Sequence, residues 1–273
     1  MVTTSAGSEV SKDEFVDNTI FRSATEIADE KLKQERIPTG SENIDILLDG
    51  GLECGAITQF YGASKVGKTH LCHLLCVVLP PHYKVIYIDT QDGFSTKKIE
   101  SIAWARGLNP GKILENTLIA KVGTTSEQEQ HIESAKLKIK SESGIRLLII
   151  DSMTHLYKVE YPERSQLTVR QFKISKYLHM LLQMAKTNDI AVVITNQVHS
   201  NPQHYSEANK LQPIGGNVLS YLCKYIVNIE SWGDQYHRAI SEKHPYRPQF
   251  SVPLMIDDRG FSNRDPFQPQ RNR

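Results

Sequence analysis

The chain has 273 residues, enough for one large α/β domain with a deep core or at most two small ones. Its 32 Lys and Arg against 31 Asp and Glu leave a formal net charge of +1, so no global field draws it to nucleic acid and any such binding has to come from local clusters. No run approaches the apolar length that crosses a bilayer, and Met1 to Val10 lacks the charged start and apolar middle of a signal peptide, so a soluble protein without a membrane partner is expected.

Residues 1 to 18 are polar and aperiodic and read as a flexible leader. A short helix is expected from Ala24 to Arg36, with Ala24, Ile27, Ala28 and Leu32 on one side. Ile37-Pro38-Thr39-Gly40-Ser41 is a turn into a second short helix, which carries Ile44, Leu47 and Leu48 and ends at Gly50-Gly51. From there strands and helices alternate. Strands are expected at Ala56 to Tyr61, Lys84 to Asp89, Thr117 to Val122, Arg146 to Asp151 and Ile190 to Thr195. Helices are expected after Thr69, from Thr96 to Arg106, from Thr125 to Ser141 and from Thr168 to Asn188, the last burying Ile174, Leu178, Leu181, Leu182 and Ala185 at spacings of three and four. Such alternation builds a mainly parallel central sheet flanked by helices, an α/β fold.

After Gln197 the pattern changes. Val198 to Gln212 is polar and aperiodic, a long loop of the kind that is functional or disordered, and Pro213-Ile214-Gly215-Gly216 bounds it. Tyr225 to Ile229, His237 to Ser241 and Phe250 to Ile256 read as antiparallel edge strands, and the tail from Asn263 reads as frayed. Cys54, Cys72, Cys76 and Cys223 show no paired metal spacing and suit a reducing interior. His70 to Cys76 resembles a zinc site only superficially, because it lies on a helix that must bury its Leu face.

The chemistry centres on Gly62-Ala63-Ser64-Lys65-Val66-Gly67-Lys68-Thr69, directly behind the strand at Ala56 to Tyr61. In a G-x-x-x-x-G-K-T turn the backbone N–H groups from Gly62 to Gly67 point at a β-phosphate, and the helix start at His70 adds its positive dipole end. Lys68 reaches the β and γ oxygens, and the Thr69 hydroxyl ligates magnesium. ATP and Mg²⁺ are therefore the expected cofactors. Asp151 ends the most apolar strand on the edge where ligands bind, and is expected to complete the metal shell. Gln197 sits at the end of the last parallel strand, where a neutral amide can sense a γ-phosphate and pass its state into the following loop.

Several further stretches carry a resemblance: Ile37 to Ser41, Gly50-Gly51-Leu52-Glu53, Tyr87-Ile88-Asp89-Thr90, Glu160 to Arg164, Val169-Arg170-Gln171, Ile194 to Val198 and Pro213 to Asn217. Together they resemble the archaeal RadA and eukaryotic recombinase family, the RecA-like P-loop ATPase core of homologous recombination, from about Phe21 to Phe261. That resemblance implies two DNA-contacting segments. The first spans Lys158 to Gln166 with Tyr161 and Arg164, and the second spans Val198 to Asn217. Lys158, Tyr161, Arg164, Arg170, His199, Lys210, Gly215 and Gly216 are the residues it assigns to single-stranded DNA, with double-stranded DNA as a further ligand. A flexible groove with cations and a stacking ring suits that role. Phe21-Arg22-Ser23-Ala24 resembles the family's Phe-x-x-Ala polymerisation motif, which implies a homo-oligomer, or a hetero-oligomer with a recombinase, through Phe21 and Ala24.

The chain also departs from the family. Family members read Tyr-Ile-Asp-Thr-Glu after the second core strand, and that glutamate activates the attacking water. Here the residue is Gln91, followed by Asp92. An amide cannot accept a proton, so weak hydrolysis is expected unless Asp92 moves in. Where the family packs an arginine on adenine, this chain has Lys97-Lys98, and Lys98 is the candidate base contact. The catalytic set is thus Lys68, Gln91, Asp92 and Gln197. The expected organisation is residues 1–36 as leader, oligomerisation motif and short helix, 37–262 as the ATPase core and 263–273 as a tail, a shortened paralogue lacking the family's N-terminal helical domain. Two functions compete: an accessory ATP- and DNA-binding protein that assists recombinase filaments, and a DNA-dependent ATPase that exchanges strands itself. Either would work beside the nucleoid of a prokaryotic cell or in a eukaryotic nucleus.

Overall fold

A computed structural model describes residues 21–199, 212–213, 217–233 and 235–262. The expected leader at 1–18, the tail from Asn263 and the site candidates Lys210, Gly215 and Gly216 lie outside the described residues. Contacts divide the chain at Gln34 into two units. In the first, α1 (Ala24–Lys33) opens on a capping box, Ser23 accepting from the Glu26 amide and Glu26 from the Ser23 amide. None of its residues is buried. The helix stops three residues short of the expected Arg36, because Arg36 is drawn into a strand.

The second unit begins with β1 (Arg36–Ile37), which pairs antiparallel with β2 (Leu52–Glu53) across α2 (Glu42–Leu47). The alternating part follows as β3 (Ile57–Gly62), α3 (Lys68–Val78), β4 (Lys84–Asp89), α4 (Thr96–Ala105), α5 (Pro110–Glu115), β5 (Thr117–Lys121), α6 (Thr125–Ser141) and β6 (Ile145–Asp151). After β6 come α7 (His155–Glu160), a 3₁₀ turn at Arg164–Gln166, α8 (Leu167–Asn188) and β7 (Ala191–His199). The remainder is β8 (Gln212–Pro213), α9 (Asn217–Leu222), β9 (Tyr225–Ser231), β10 (Tyr236–Lys243), β11 (Phe250–Asp257) and β12 (Gly260–Ser262). The main sheet runs β12-β11-β10-β9-β3-β7-β6-β4-β5, with β8 paired to β7. It is parallel from β9 to β5 and antiparallel from β9 to β12.

The strands read as continuous apolar runs because both faces are covered. On β6, Leu147 and Ile149 enter one core with Leu71, Leu75, Ile99 and Ile102, while Leu148 and Ile150 enter the other with Ile132, Ile174, Leu178 and Leu181. One expectation is corrected here: β9 is no edge strand, since it lies between β3 and β10 and runs parallel to β3. Its run Tyr225-Ile226-Val227-Asn228-Ile229 is buried throughout, as an interior position requires.

Glu53 pins β1 and β2 to this sheet. It is 5% exposed and accepts from Arg36 at 3.0 Å, from the Tyr225 hydroxyl at 2.6 Å and from Lys224. Burial pushes its carboxyl up, but the donors from Lys224 and Tyr225 outweigh burial and hold it below the usual range. No helix among the described residues is long and apolar enough to cross a membrane.

Candidate functional site

The C-terminal ends of β3, β7, β6 and β4 lie side by side in the sheet, and each delivers a candidate residue to the same edge. β3 leads into the loop from Gly62 to Gly67. Two glycines there are required by geometry. Gly67 has φ +92°, and a Cβ on it would stand 2.6 Å from Ile256 Cδ1. At Gly62 a Cβ would stand 2.2 Å from the Ile229 carbonyl oxygen. Lys65, exposed at the tip, takes φ +68°. Lys68 opens α3 and folds back, donating to the Gly62 carbonyl at 2.9 Å and to that of Ala63 at 2.6 Å. Burial lowers its pKa, with Asp151 opposing. A half-buried ammonium resting on two carbonyls, beside a turn that has no room for side chains at Gly62 and Gly67, is a cradle fitted to phosphate oxygens.

Asp151, 4% exposed at the end of β6, is gripped on both oxygens: Oδ2 accepts the Tyr87 hydroxyl at 2.9 Å, and Oδ1 accepts the Thr195 hydroxyl. These donors leave lone pairs free and fix the carboxylate's direction, as a metal-supporting group needs. Thr69 follows Lys68 in α3, and a Cβ on Gly93 would stand 3.3 Å from its Cγ2, so the loop after β4 closes over Thr69. Gln197 is the register partner of Gly62 across β7 and β3.

The loop after β4 is built on Asp89. Its Oδ1 accepts the Gln91 and Gly93 amides, both at 3.1 Å, and its Oδ2 accepts the Phe94 amide at 2.9 Å. His73, 3% exposed on α3, accepts the Ser95 amide on Nε2 at 3.0 Å and lies against Phe94 and Tyr87. Burial, and then neighbouring His70, push His73 down to about 4, so it is a neutral acceptor. Within this loop Gln91 is exposed, its Nε2 lying 3.4 Å from the Ser152 hydroxyl. Asp92 is 80% exposed and pairs with Lys121 at 2.5 Å at the end of β5. His70 packs on Phe261, and Lys98 lies in the first turn of α4, close enough to depress His70 and His73 electrostatically.

Among the nucleic-acid candidates, Lys158 and Arg164 are exposed and Tyr161 is half-buried. The first segment begins as a helix, since α7 continues to Glu160. Arg170 donates Nη1 to the Tyr161 carbonyl at 2.9 Å. His199 ends β7 opposite Gln212 of β8. An apolar cavity of about 320 Å³ lined by Cys76, Val77, Tyr83, Leu108 and Ile113 lies at the far end of α3 and takes no part in this edge. Tyr87, Asp89 and Thr195 lie in stretches that carry the family resemblance and near the ends of strands expected to flank the ligand, but their supporting roles depend on strand register, and His73 lies within α3 with no motif to mark it.

A phosphate cradle between strand and helix, an acidic end on the strand two places along and a mainly parallel sheet of this order define a RecA-like P-loop ATPase core. A family model described as Rad51 matches residues 31–261. The chain is also 32% identical over 252 residues to the "DNA repair and recombination protein RadA" of Metallosphaera sedula, a match covering 90% of this chain and 78% of that protein. The chain belongs to the Rad51 family, a family of recombination and repair ATPases.

Proposed function

We propose that this chain is an ATP-dependent, single-stranded-DNA-binding protein of the accessory type, which assists or remodels recombinase filaments and hydrolyses ATP weakly. The observation that carries this reading is the state of the loop after β4. Gln91 offers an amide where the family resemblance expects a base, Asp89 is committed to three backbone amides, and Asp92 is committed to Lys121. Both carboxylates of that loop are thus engaged by donors, and neither stands in the place of the missing glutamate.

Lys68 and the amides from Gly62 to Gly67 would hold the phosphates, with Thr69 and Asp151 supporting magnesium, whose charge would neutralise that of the phosphates. Gln197 would report occupancy to the segment after β7, and Lys98 would lie by the base. Lys158, Tyr161 and Arg164 form the first DNA segment in this reading. His199, Lys210, Gly215 and Gly216 belong to the second. Phe21, 86% exposed, together with Ala24 would plug a neighbouring subunit. Such a protein would act beside the nucleoid or in a nucleus.

Steady-state ATP turnover with and without single-stranded DNA tests the reading. Gln91→Glu should raise turnover by about 10² to 10⁴, the usual contribution of a positioned base. Equal rates for the two proteins would remove the argument. The second reading, strand exchange by the chain itself, is favoured by the undisturbed set of Lys68, Thr69, Asp151 and Gln197. Joint-molecule formation by the protein alone would establish it in place of the first.

A further inference from the structure

α3 stops at Val78 because Pro80 and Pro81 follow, and neither has the N–H that a further helical turn needs. The chain then turns back into β4, while α5 packs against α3 and α4. Between the end of α3 and α5 lies the cavity of about 320 Å³, a volume within the range of small-molecule sites. Its buried lining is Cys76, Val77 and Val85, and Leu108 and Ile113 extend the apolar wall. Burial pushes the Cys76 thiol up to about 12, so it lines the cavity as a neutral, apolar group.

Hydrogen bonds hold the walls in place. Asn116 donates from Nδ2 to the Pro81 carbonyl at 2.8 Å, and the Tyr83 amide donates to the Pro80 carbonyl at 2.8 Å. The Tyr83 hydroxyl is tied to Glu35 Oε1 at 2.9 Å, and its ring lies 5.5 Å from the Arg146 guanidinium. On the facing wall, Asn109 Oδ1 accepts the Gly111 amide at 2.9 Å at the start of α5, and the Thr117 hydroxyl donates to the Ile113 carbonyl at 2.8 Å. A recess braced in this way is built into the fold, unlike the small voids of loose packing. The rim also has a sign. The oxygens of Pro80, Pro81 and Asn109 already accept hydrogen bonds, whereas Lys112 is 55% exposed and meets Glu115 only at 3.7 Å. An exposed pair of that length holds its ammonium weakly and leaves it able to turn to another anion.

We infer that this cavity is a binding site for a small monocarboxylic acid with an apolar body, the body lying against Val77 and Ile113 and the carboxylate meeting Lys112 at the mouth. Cys76 lies about 12 Å along α3 from Lys68, so the site is separate from the phosphate cradle.

Three ligands that share one body test the assignment: phenylbutyrate, phenylbutanol and phenylbutylamine, titrated calorimetrically into the full chain with and without Mg-ATP. Phenylbutyrate should bind about fivefold more tightly than phenylbutanol, the worth of one ordinary hydrogen bond, and phenylbutylamine most weakly. Its binding should carry a negative heat-capacity change, the mark of apolar burial, and should persist with saturating Mg-ATP. Lys112→Gln should bring phenylbutyrate down to the level of phenylbutanol. Leu108→Trp and Ile113→Trp, which put an indole into the space, should weaken both ligands by about tenfold or more, the loss of one buried apolar group. Leu108 is 41% exposed, which keeps the test open should the Ile113 variant fail to fold. No binding of any of the three ligands, unchanged binding by Leu108→Trp, or displacement of phenylbutyrate by Mg-ATP overturns the site. An alcohol that binds as tightly as the acid overturns the role of Lys112 and with it the carboxylate assignment.

Discussion

The Tyr87 hydroxyl donates to Asp151 Oδ2 at 2.9 Å, joining β4 to β6 at the edge where the phosphate loop opens. Tyr87 is fully buried, and burial foremost, with Cys72 and Asp151 adding to it, raises its pKa well above the ordinary value, so the phenol stays a donor. Tyr87→Phe keeps the ring and removes only the donor. The expected loss is about 1 to 3 kcal/mol of stability, the cost of leaving a buried acceptor short of a partner, measured by urea unfolding. Magnesium dependence of nucleotide binding should shift to higher metal concentration in the same variant, because Asp151 is then oriented by Thr195 alone.

His73 makes the loop that carries Gln91 sensitive to acid. Its folded pKa, about 4, lies below the ordinary 6.5, so between those values the unfolded chain binds a proton that the folded chain refuses. Its contribution is present in full above about pH 6.5, declines as pH falls towards 4 and changes no further below that. The gap corresponds to about 3 kcal/mol. Gln offers an acceptor for the Ser95 amide without titrating, so unfolding curves of His73→Gln and wild type should converge over that window as pH falls. A constant difference from pH 7 to 4 would mean that His73 is not the titrating group.

Glu53 carries the attachment of β1 and β2. Glu53→Ala leaves Lys224 without its carboxylate and removes an acceptor from Arg36 and Tyr225, in a cluster where Glu53 is 5% exposed. Breaking a buried pair by removing one partner costs about 3 to 5 kcal/mol. Replacing Lys224 with Met as well should recover part of that loss, because no unpaired ammonium then remains. Calorimetric unfolding of the single and double variants checks both expectations.

The parallel half of the fold was legible because Arg146 to Asp151 and Ile190 to Thr195 are short apolar runs divided by helices of clear period, and the phosphate loop is a contiguous motif. α7 was not legible. His155 to Glu160 is only six residues and buries just Leu156 and Tyr157, too little for a period to show. α5 carried a readable start, with Asn109 as cap and Pro110 as first residue, and passed unnoticed because it too is six residues long. The interior place of β9 depends on pairing Thr58 with Tyr225, a contact far apart in sequence that no local pattern announces. At the site, Lys68, Thr69 and Asp151 could be found from motif and strand end. Tyr87 and Thr195 could not, because a hydroxyl on a strand becomes a support for Asp151 only once register puts β4 and β7 on either side of β6.

Phe21 offers a test of association that is separable from folding. Its ring is 86% exposed, and α1 beyond it buries none of its residues, so the ring contributes little to the stability of the isolated chain. A ten-residue helix with no buried face is marginal in water and gains most from packing against another surface. Burying one aromatic side chain at a subunit contact is worth about 1.5 to 3 kcal/mol, roughly a ten- to hundredfold change in an association constant. Phe21→Ala should therefore move the mass measured by light scattering with Mg-ATP and single-stranded DNA towards that of the monomer. The thermal midpoint of the dilute protein should remain where it was. A variant that assembles like wild type would place the subunit contact elsewhere, whereas one that melts early would show that the ring stabilises the isolated chain itself.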